Sequence, residues 1–202
     1  MVLRNVIPIP PSEATASYDY ADIQEGTGNT VYNLAQTELS GGVLSNFLIR
    51  NTLYSGNQEI SGATASGKFS DNDFDIEFNR PQNLKGTAYV NIPHATTGSG
   101  QNYLHVRARK FDGTTETEID NAISRVLVNA NKTIHAIPLT IPLTHFKKGD
   151  IFRLTVEGWG NGASQTYGYG VDPQDRQTAW MITTGGATNT KSTLTLPFVL
   201  KV

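Results

Sequence analysis

YLHVRARKF, from Tyr103 to Phe111, alternates strictly. Leu104, Val106 and Ala108 fall on one face of an extended chain, and His105, Arg107 and Arg109 on the other. Asp112-Gly113 follows, a strong hairpin signal, and then TTETEIDNA (114–122) alternates again. A two-residue turn at Asp112-Gly113 pairs Phe111 with Thr114. Counting outward sets Arg109 opposite Glu116, Arg107 opposite Glu118 and His105 opposite Asp120. The other face then pairs Val106 with Ile119 and Ala108 with Thr117. One face is a ladder of opposite charges and the other is mostly apolar, which predicts an antiparallel sheet with one solvated side.

Further strands lie on both sides of this hairpin. FDIEF (Phe74–Phe78) turns Phe74, Ile76 and Phe78 inward and is closed by Pro81. LKGTAYVNI (Leu84–Ile92) places Leu84, Ala88, Val90 and Ile92 on one face; Pro93 closes it, and HATTGSGQN (94–102) reads as loop. AISRVLVNA (122–130) extends the hairpin or turns its corner. In TIHAIPLTIPL (133–143), Ile137-Pro138-Leu139 and Ile141-Pro142-Leu143 repeat at four residues, spacing that suits an edge or bulged strand. IFRLTVEGW (151–159) alternates Phe152, Leu154 and Val156 against Arg153, Thr155 and Glu157. WMITT (180–184) and STLTLPFVL (192–200) read as the last strands. Gly41-Gly42 and Ser55-Gly56-Asn57 bracket an earlier strand carrying Val43, Phe47 and Ile49, and GATASGKFSDN (62–72) reads as loop. Eight to ten strands with no helical period predict an all-β fold, an antiparallel jelly-roll β-sandwich over residues 21–202.

Residues 1–20 differ. They hold Pro8, Pro10 and Pro11, three of the chain's nine prolines. Val6-Ile7-Pro8-Ile9-Pro10 is apolar and extended, yet too poor in amide donors for a central strand. It reads either as an arm on its own domain or as one that docks on a neighbouring subunit.

Composition narrows the function. The chain has 202 residues, 38% of them apolar, with sixteen basic and eighteen acidic side chains and a net charge of −2. No clustered basic face points to nucleic acid. No apolar run approaches a membrane span and no continuous apolar leader opens the chain, so a soluble product of a cytoplasm is expected. There is no cysteine, which excludes disulfides and thiol chemistry. The low apolar share fits a subunit that completes its core in an oligomer.

Catalytic and metal patterns are weak. Asp71, Asp73 and Asp75 have calcium-loop spacing, but Ile76 stands where glycine is needed and Gln82 where a bidentate carboxylate belongs. His94, His105, His135 and His145 form no zinc motif, and there is no G-x-S-x-G elbow. These residues predict neither an enzyme nor a cofactor. GWGNGASQTYGYGVDPQDR (Gly158–Arg176) is the most unusual segment, read as a glycine-rich loop up to Gly170. It sets Trp159, Tyr167 and Tyr169 among glycines and amides, with Asp172 and Arg176 beyond. Such a loop could bind a sugar, contact a subunit or pack on its own sandwich, and the residues leave all three open.

YLHVRARKFDGTTETEI and LTHFKKGDIFRLTVEGW, with Gly149-Asp150 before a late strand, resemble trimeric jelly-roll domains of the complement-globular and tumour-necrosis type. SYDYADIQEGTGNTVY (17–32), with FDIEF and LKGTAYVNI, resembles virion proteins of tailed bacteriophages. The resemblance implies a homotrimeric structural protein on a phage particle: a head decoration protein, head fibre or tail component. Its partners would be its own copies and the major capsid or another virion protein. The alternative is a receptor-recognition module that binds a host-surface glycan.

Overall fold

A computed structural model of the chain describes residues 27–39, 42–54, 56–97, 100–128, 132–161, 166–176 and 190–199. Among them are twelve strands and no helix. In chain order these are β1 (Thr27–Leu39), β2 (Val43–Ile49), β3 (Glu59–Ala63), β4 (Ser66–Glu77), β5 (Gln82–Thr96) and β6 (Gln101–Phe111). Then come β7 (Glu116–Ile123), β8 (Leu127–Val128), β9 (Lys132–Phe146), β10 (Ile151–Asn161), β11 (Thr166–Gly170) and β12 (Thr193–Val199).

The strands form one hydrogen-bonded network, ordered β3-β11-β5-β12-β1-β2-β4-β10-β6-β7, with β9 on the free side of β5 and β8 beside β6. Pairing is antiparallel except at one parallel contact, Phe47 with Asp75, where β2 meets β4. There the network turns over, so two layers face each other across the core: β9-β5-β12-β1-β2 and β4-β10-β6-β7. Leu34, Ala88, Val90, Leu139 and Leu194 of the first layer share one cluster with Phe74, Val106, Phe152 and Leu154 of the second. Phe78 and Phe146 meet edge to face across it, ring centres 5.1 Å apart. Burying each such side chain contributes roughly 1.5–3 kcal/mol.

The inward faces expected for 84–92 and 151–159 are observed, with Leu84, Ala88, Val90, Ile92, Phe152, Leu154 and Val156 fully buried. The proline repeat also sits as its spacing suggests. β9 pairs with β5 along one side and bulges at Pro142-Leu143, opposite Lys85. Thr140 donates its amide to Asp120 Oδ2 of β7, so its N–H points away from β5. Pro138 and Pro142 share that parity, and neither removes a hydrogen bond from the β5 ladder.

Several expectations are corrected. Residues 62–72 are not loop but the end of β3 and most of β4. Pro93 does not close β5, which continues through His94 to Thr96. The glycine-rich segment is not a loop at its ends: Gly158–Asn161 belong to β10 and Thr166–Gly170 to β11. The apolar arm at 1–20 and the strand expected at 180–184 lie outside the described residues.

The hairpin register is corrected too. Phe111 pairs with Glu116, not Thr114, so the connection is the four residues 112–115. Asp112 does not adopt the left-handed geometry of a two-residue turn. Its carboxylate instead accepts the amides of Thr114 and Thr115, at 3.0 and 2.7 Å, and Gly113 alone turns at positive φ. Nearer the middle, Ile119 is an extra residue on β7, and beyond it Ala108 faces Asp120 and Val106 faces Ala122. The bulge keeps Ile119 against the core and then turns Ala122 inward, leaving Asn121 and Ile123 outside.

Candidate functional site

Most of the aromatic segment proves to be core. Tyr167 and Tyr169 lie on β11 and are buried, and burial pushes both hydroxyl pKa values up. Tyr167 packs on Phe69 of β4, ring centres 4.6 Å apart. Asp172 is fully buried and binds its own turn: it accepts the backbone amides of Gln174 and Arg176 and pairs with the Arg176 guanidinium at 3.1 Å. Arg176 also donates to the Gly56 carbonyl at 2.7 Å, tying this turn to the loop after β2. Tyr167, Tyr169 and Asp172 are therefore buried within the fold, and Arg176 ties two of its turns together. Of the group singled out in the sequence, Trp159 alone stands on an outer face.

That face belongs to the β4-β10-β6-β7 layer, and it carries a network of charges. Arg153 on β10 bonds Asp75 with both Nε and Nη2 and reaches Glu116 at 2.7 Å. Arg107 and Arg109 on β6 bond Glu118 and Glu116, at 2.7 and 2.6 Å. Thr155 donates to Asp73 at 2.6 Å, and Lys68 pairs with Asp71 at 2.7 Å. The aspartates with calcium-loop spacing thus lie on a strand, each facing a donor. Among the described residues no group of three acidic or histidine side chains is placed to hold a metal ion.

Glu157 lies at the centre of this face with only 3% of its side chain exposed. Burial raises its carboxyl pKa, but the Trp159 indole, Arg107, Lys68 and His105 outweigh that and hold it below the usual range. Trp159 Nε1 donates at 2.8 Å and Arg107 Nε at 3.2 Å, while His105 Nδ1 lies 3.3 Å away. The expected His105–Asp120 pairing does not occur: His105 stands opposite Ile123 and its Nε2 bonds Asn121 Oδ1 at 3.0 Å.

Beyond Glu157 the face changes character. Trp159 stands directly opposite Tyr103, their rings 8° from parallel with centres 6.4 Å apart. Asn161 follows beside Gln101, joined by Asn161 Nδ2 to Gln101 Oε1 at 3.0 Å and by the Gln101 amide to Asn161 Oδ1 at 3.1 Å. At Gly158/Trp159 the β10–β4 register shifts, with Phe69 the extra residue on β4. Gly158 is required there, because a Cβ would stand 2.5 Å from the Phe69 ring and Ser70 Oγ.

The opposite outer face is uncharged along its middle rows, with Lys85 and Lys132 at its two ends. Pro138, Tyr89, Thr195 and Val31 form one cross-strand row over β9, β5, β12 and β1. The next row is Ala136, Asn91, Thr193 and Asn33. Val31, Tyr89 and Ile134 are 51%, 49% and 55% exposed. Sequence reasoning missed this face, because its residues come from four segments that look ordinary one at a time.

At one end of the core, His94 Nδ1 and His135 Nε2 are 3.2 Å apart. Burial and the neighbouring His135 lower the His94 pKa to about 3; burial and Arg125 lower that of His135.

No protein-family profile and no curated protein matches the chain by sequence. Among solved structures it is similar to an α-amino acid ester hydrolase at 11% identity and a TM-score of 0.52, over 82% of this chain and 36% of that one. It also aligns with a CocE/NonD family hydrolase from Staphylococcus aureus at 13% identity and a TM-score of 0.48, over 83% of this chain and 36% of that one. A family 16 carbohydrate-binding module aligns at 10% identity and a TM-score of 0.30, over 68% of this chain and 82% of that one. The chain spans about a third of the length of those hydrolases, and at such identities the likeness extends to the all-β fold alone.

Proposed function

We propose that this chain is a non-enzymatic structural subunit of a virion of the tailed-phage type, attached to the particle as a homotrimer. The observation that carries this reading is the contrast between its two outer faces. One is a network of paired charges. The other, across β9, β5, β12 and β1, presents Ile134, Pro138, Tyr89 and Val31 in its middle, with Lys85 and Lys132 only at its two ends. Charge depletion together with exposed aromatic and aliphatic groups is what the centre of a subunit interface requires. The buried acids support a non-catalytic role, since Glu157, Asp150 and Asp172 are all held by arginine, lysine or backbone donors. In this reading the apolar stretch Val6–Pro10 supplies the contact to the capsid or a neighbouring subunit. The test is to add purified chain to particles assembled without it and sediment them. Full-length chain should co-sediment; a chain starting at residue 15 should keep its melting temperature and fail to attach. Failure of the full-length chain to attach contradicts the reading.

A further inference from the structure

We propose that Trp159 and Tyr103 form the platform of a binding site for neutral pyranose sugars, on the outer face of the β10–β6 pair. The argument begins with register. Glu157–His105, Trp159–Tyr103 and Asn161–Gln101 are successive pairs on that face, so an aromatic pair lies between two polar ones. By strand rise the row is roughly 13 Å long, enough for two or three linked pyranose rings. A pyranose presents axial C–H groups on its faces and hydroxyls on its rim. The C–H groups suit the electron-rich faces of parallel indole and phenol rings. The hydroxyls need donors and acceptors at the platform's edges, where the Gln101–Asn161 amides and Lys68 stand.

The platform is held in place before any ligand arrives. Glu157 Oε2 accepts the indole N–H of Trp159 at 2.8 Å, which fixes the indole orientation. Arg107 holds the other carboxylate oxygen at 3.2 Å. Glu157 is therefore a positioning residue: its lone pairs are committed to the protein. The bulge at Phe69 sets where Trp159 sits, and bulges of this kind re-aim side chains next to binding sites. Charge selects the class of sugar. Lys68 is paired with Asp71 and Arg107 with both Glu118 and Glu157, so among the described residues no unbalanced cation remains beside the platform to favour an acidic sugar. This site is separate from the opposite outer face, and its occupancy does not depend on particle attachment.

The experiment is a glycan array of neutral and acidic oligosaccharides probed with the full chain, followed by affinity electrophoresis in gels of galactomannan, mixed-linkage β-glucan, dextran and alginate. Neutral glycans should bind and at least one neutral gel should retard the chain. Trp159→Ala and Tyr103→Ala should each weaken binding roughly tenfold or more with a native melting curve. Trp159→Phe should retain most of it, and Glu157→Gln should weaken it less than loss of the ring. An array with no bound neutral glycan overturns the proposal, as does retention of acidic glycans alone or binding unchanged in Trp159→Ala. A Trp159→Ala chain that folds but loses its oligomeric state also overturns it, because the aromatic pair would then be a subunit contact.

Discussion

Arg109 stands opposite Glu118 in the backbone ladder, yet its guanidinium bonds Glu116, 2.6 Å away and two pairs nearer the turn. Arg107 does the same: it faces Asn121 and bonds Glu118. The long side chains lean diagonally across the hairpin, so the ion pairs read from the sequence occur in a register the sequence did not predict. A double-mutant cycle on Arg109 and Glu116, followed by denaturant unfolding, should give a coupling of about 0.2–1 kcal/mol that shrinks in high salt. The Arg109–Glu118 cycle should give a smaller value, and equal couplings would show that backbone opposition rather than the diagonal contact sets the interaction.

The buried histidine pair predicts a pH dependence. The folded-state pKa of His94 is about 3, against roughly 6.5 in an unfolded chain. Between those values the unfolded state binds the extra proton, so stability is full above pH 6.5 and falls as the pH drops. The slope is at most about 1.4 kcal/mol per pH unit for one such group. Carboxylates whose pKa values are lowered, such as Glu118 and Asp150, lose their contribution only at more acid pH. Melting temperatures between pH 7 and 5 should therefore fall for the wild type and fall less for His94→Gln. An identical slope in the variant would place the titration elsewhere.

Gly170 is held by close approach. A Cβ there would lie 2.2 Å from the Thr190 carbonyl oxygen, and its own carbonyl accepts Ser192 Oγ. Both contacts are with backbone or buried groups that have little room to move. Gly170→Ala should destabilise the fold by about 1–3 kcal/mol, read as a lower urea midpoint. Gly67→Ala meets no atom within 4 Å, although its φ of +83° strains it, and should cost less.

Strands were legible where alternation is regular and both faces differ. Leu84–Ile92 and Phe152–Val156 are examples, and Pro138 and Pro142 marked an edge strand through their missing amides. The turn misled because Asp112-Gly113 fits two geometries; the Asp112 carboxylate, by capping two amides, selects the longer one. Residues 62–72 read as loop because their side chains are small and polar, yet Asp71, Asp73 and Asp75 line a strand whose outer face is built for ion pairs. Tyr167 and Tyr169 looked like a surface cluster because glycines surround them. Gly158 and Gly170 of that segment serve close packing instead: a Cβ at Gly158 would press on the Phe69 ring and one at Gly170 on the Thr190 backbone. The Trp159–Tyr103 pair spans two strands, and only the β10–β6 register brings the two rings together.

The most direct test of the assembly reading is sedimentation equilibrium of the purified chain and of a Val31→Lys/Tyr89→Lys variant, at micromolar to tens of micromolar concentration. Both positions are half exposed on the same cross-strand row, so the variant should fold with native circular dichroism. The account predicts a trimer for the wild type and a monomer for the variant, because assembly would bury the added charges against their own copies. A monomeric wild type, or a trimer that survives both lysines, would contradict it.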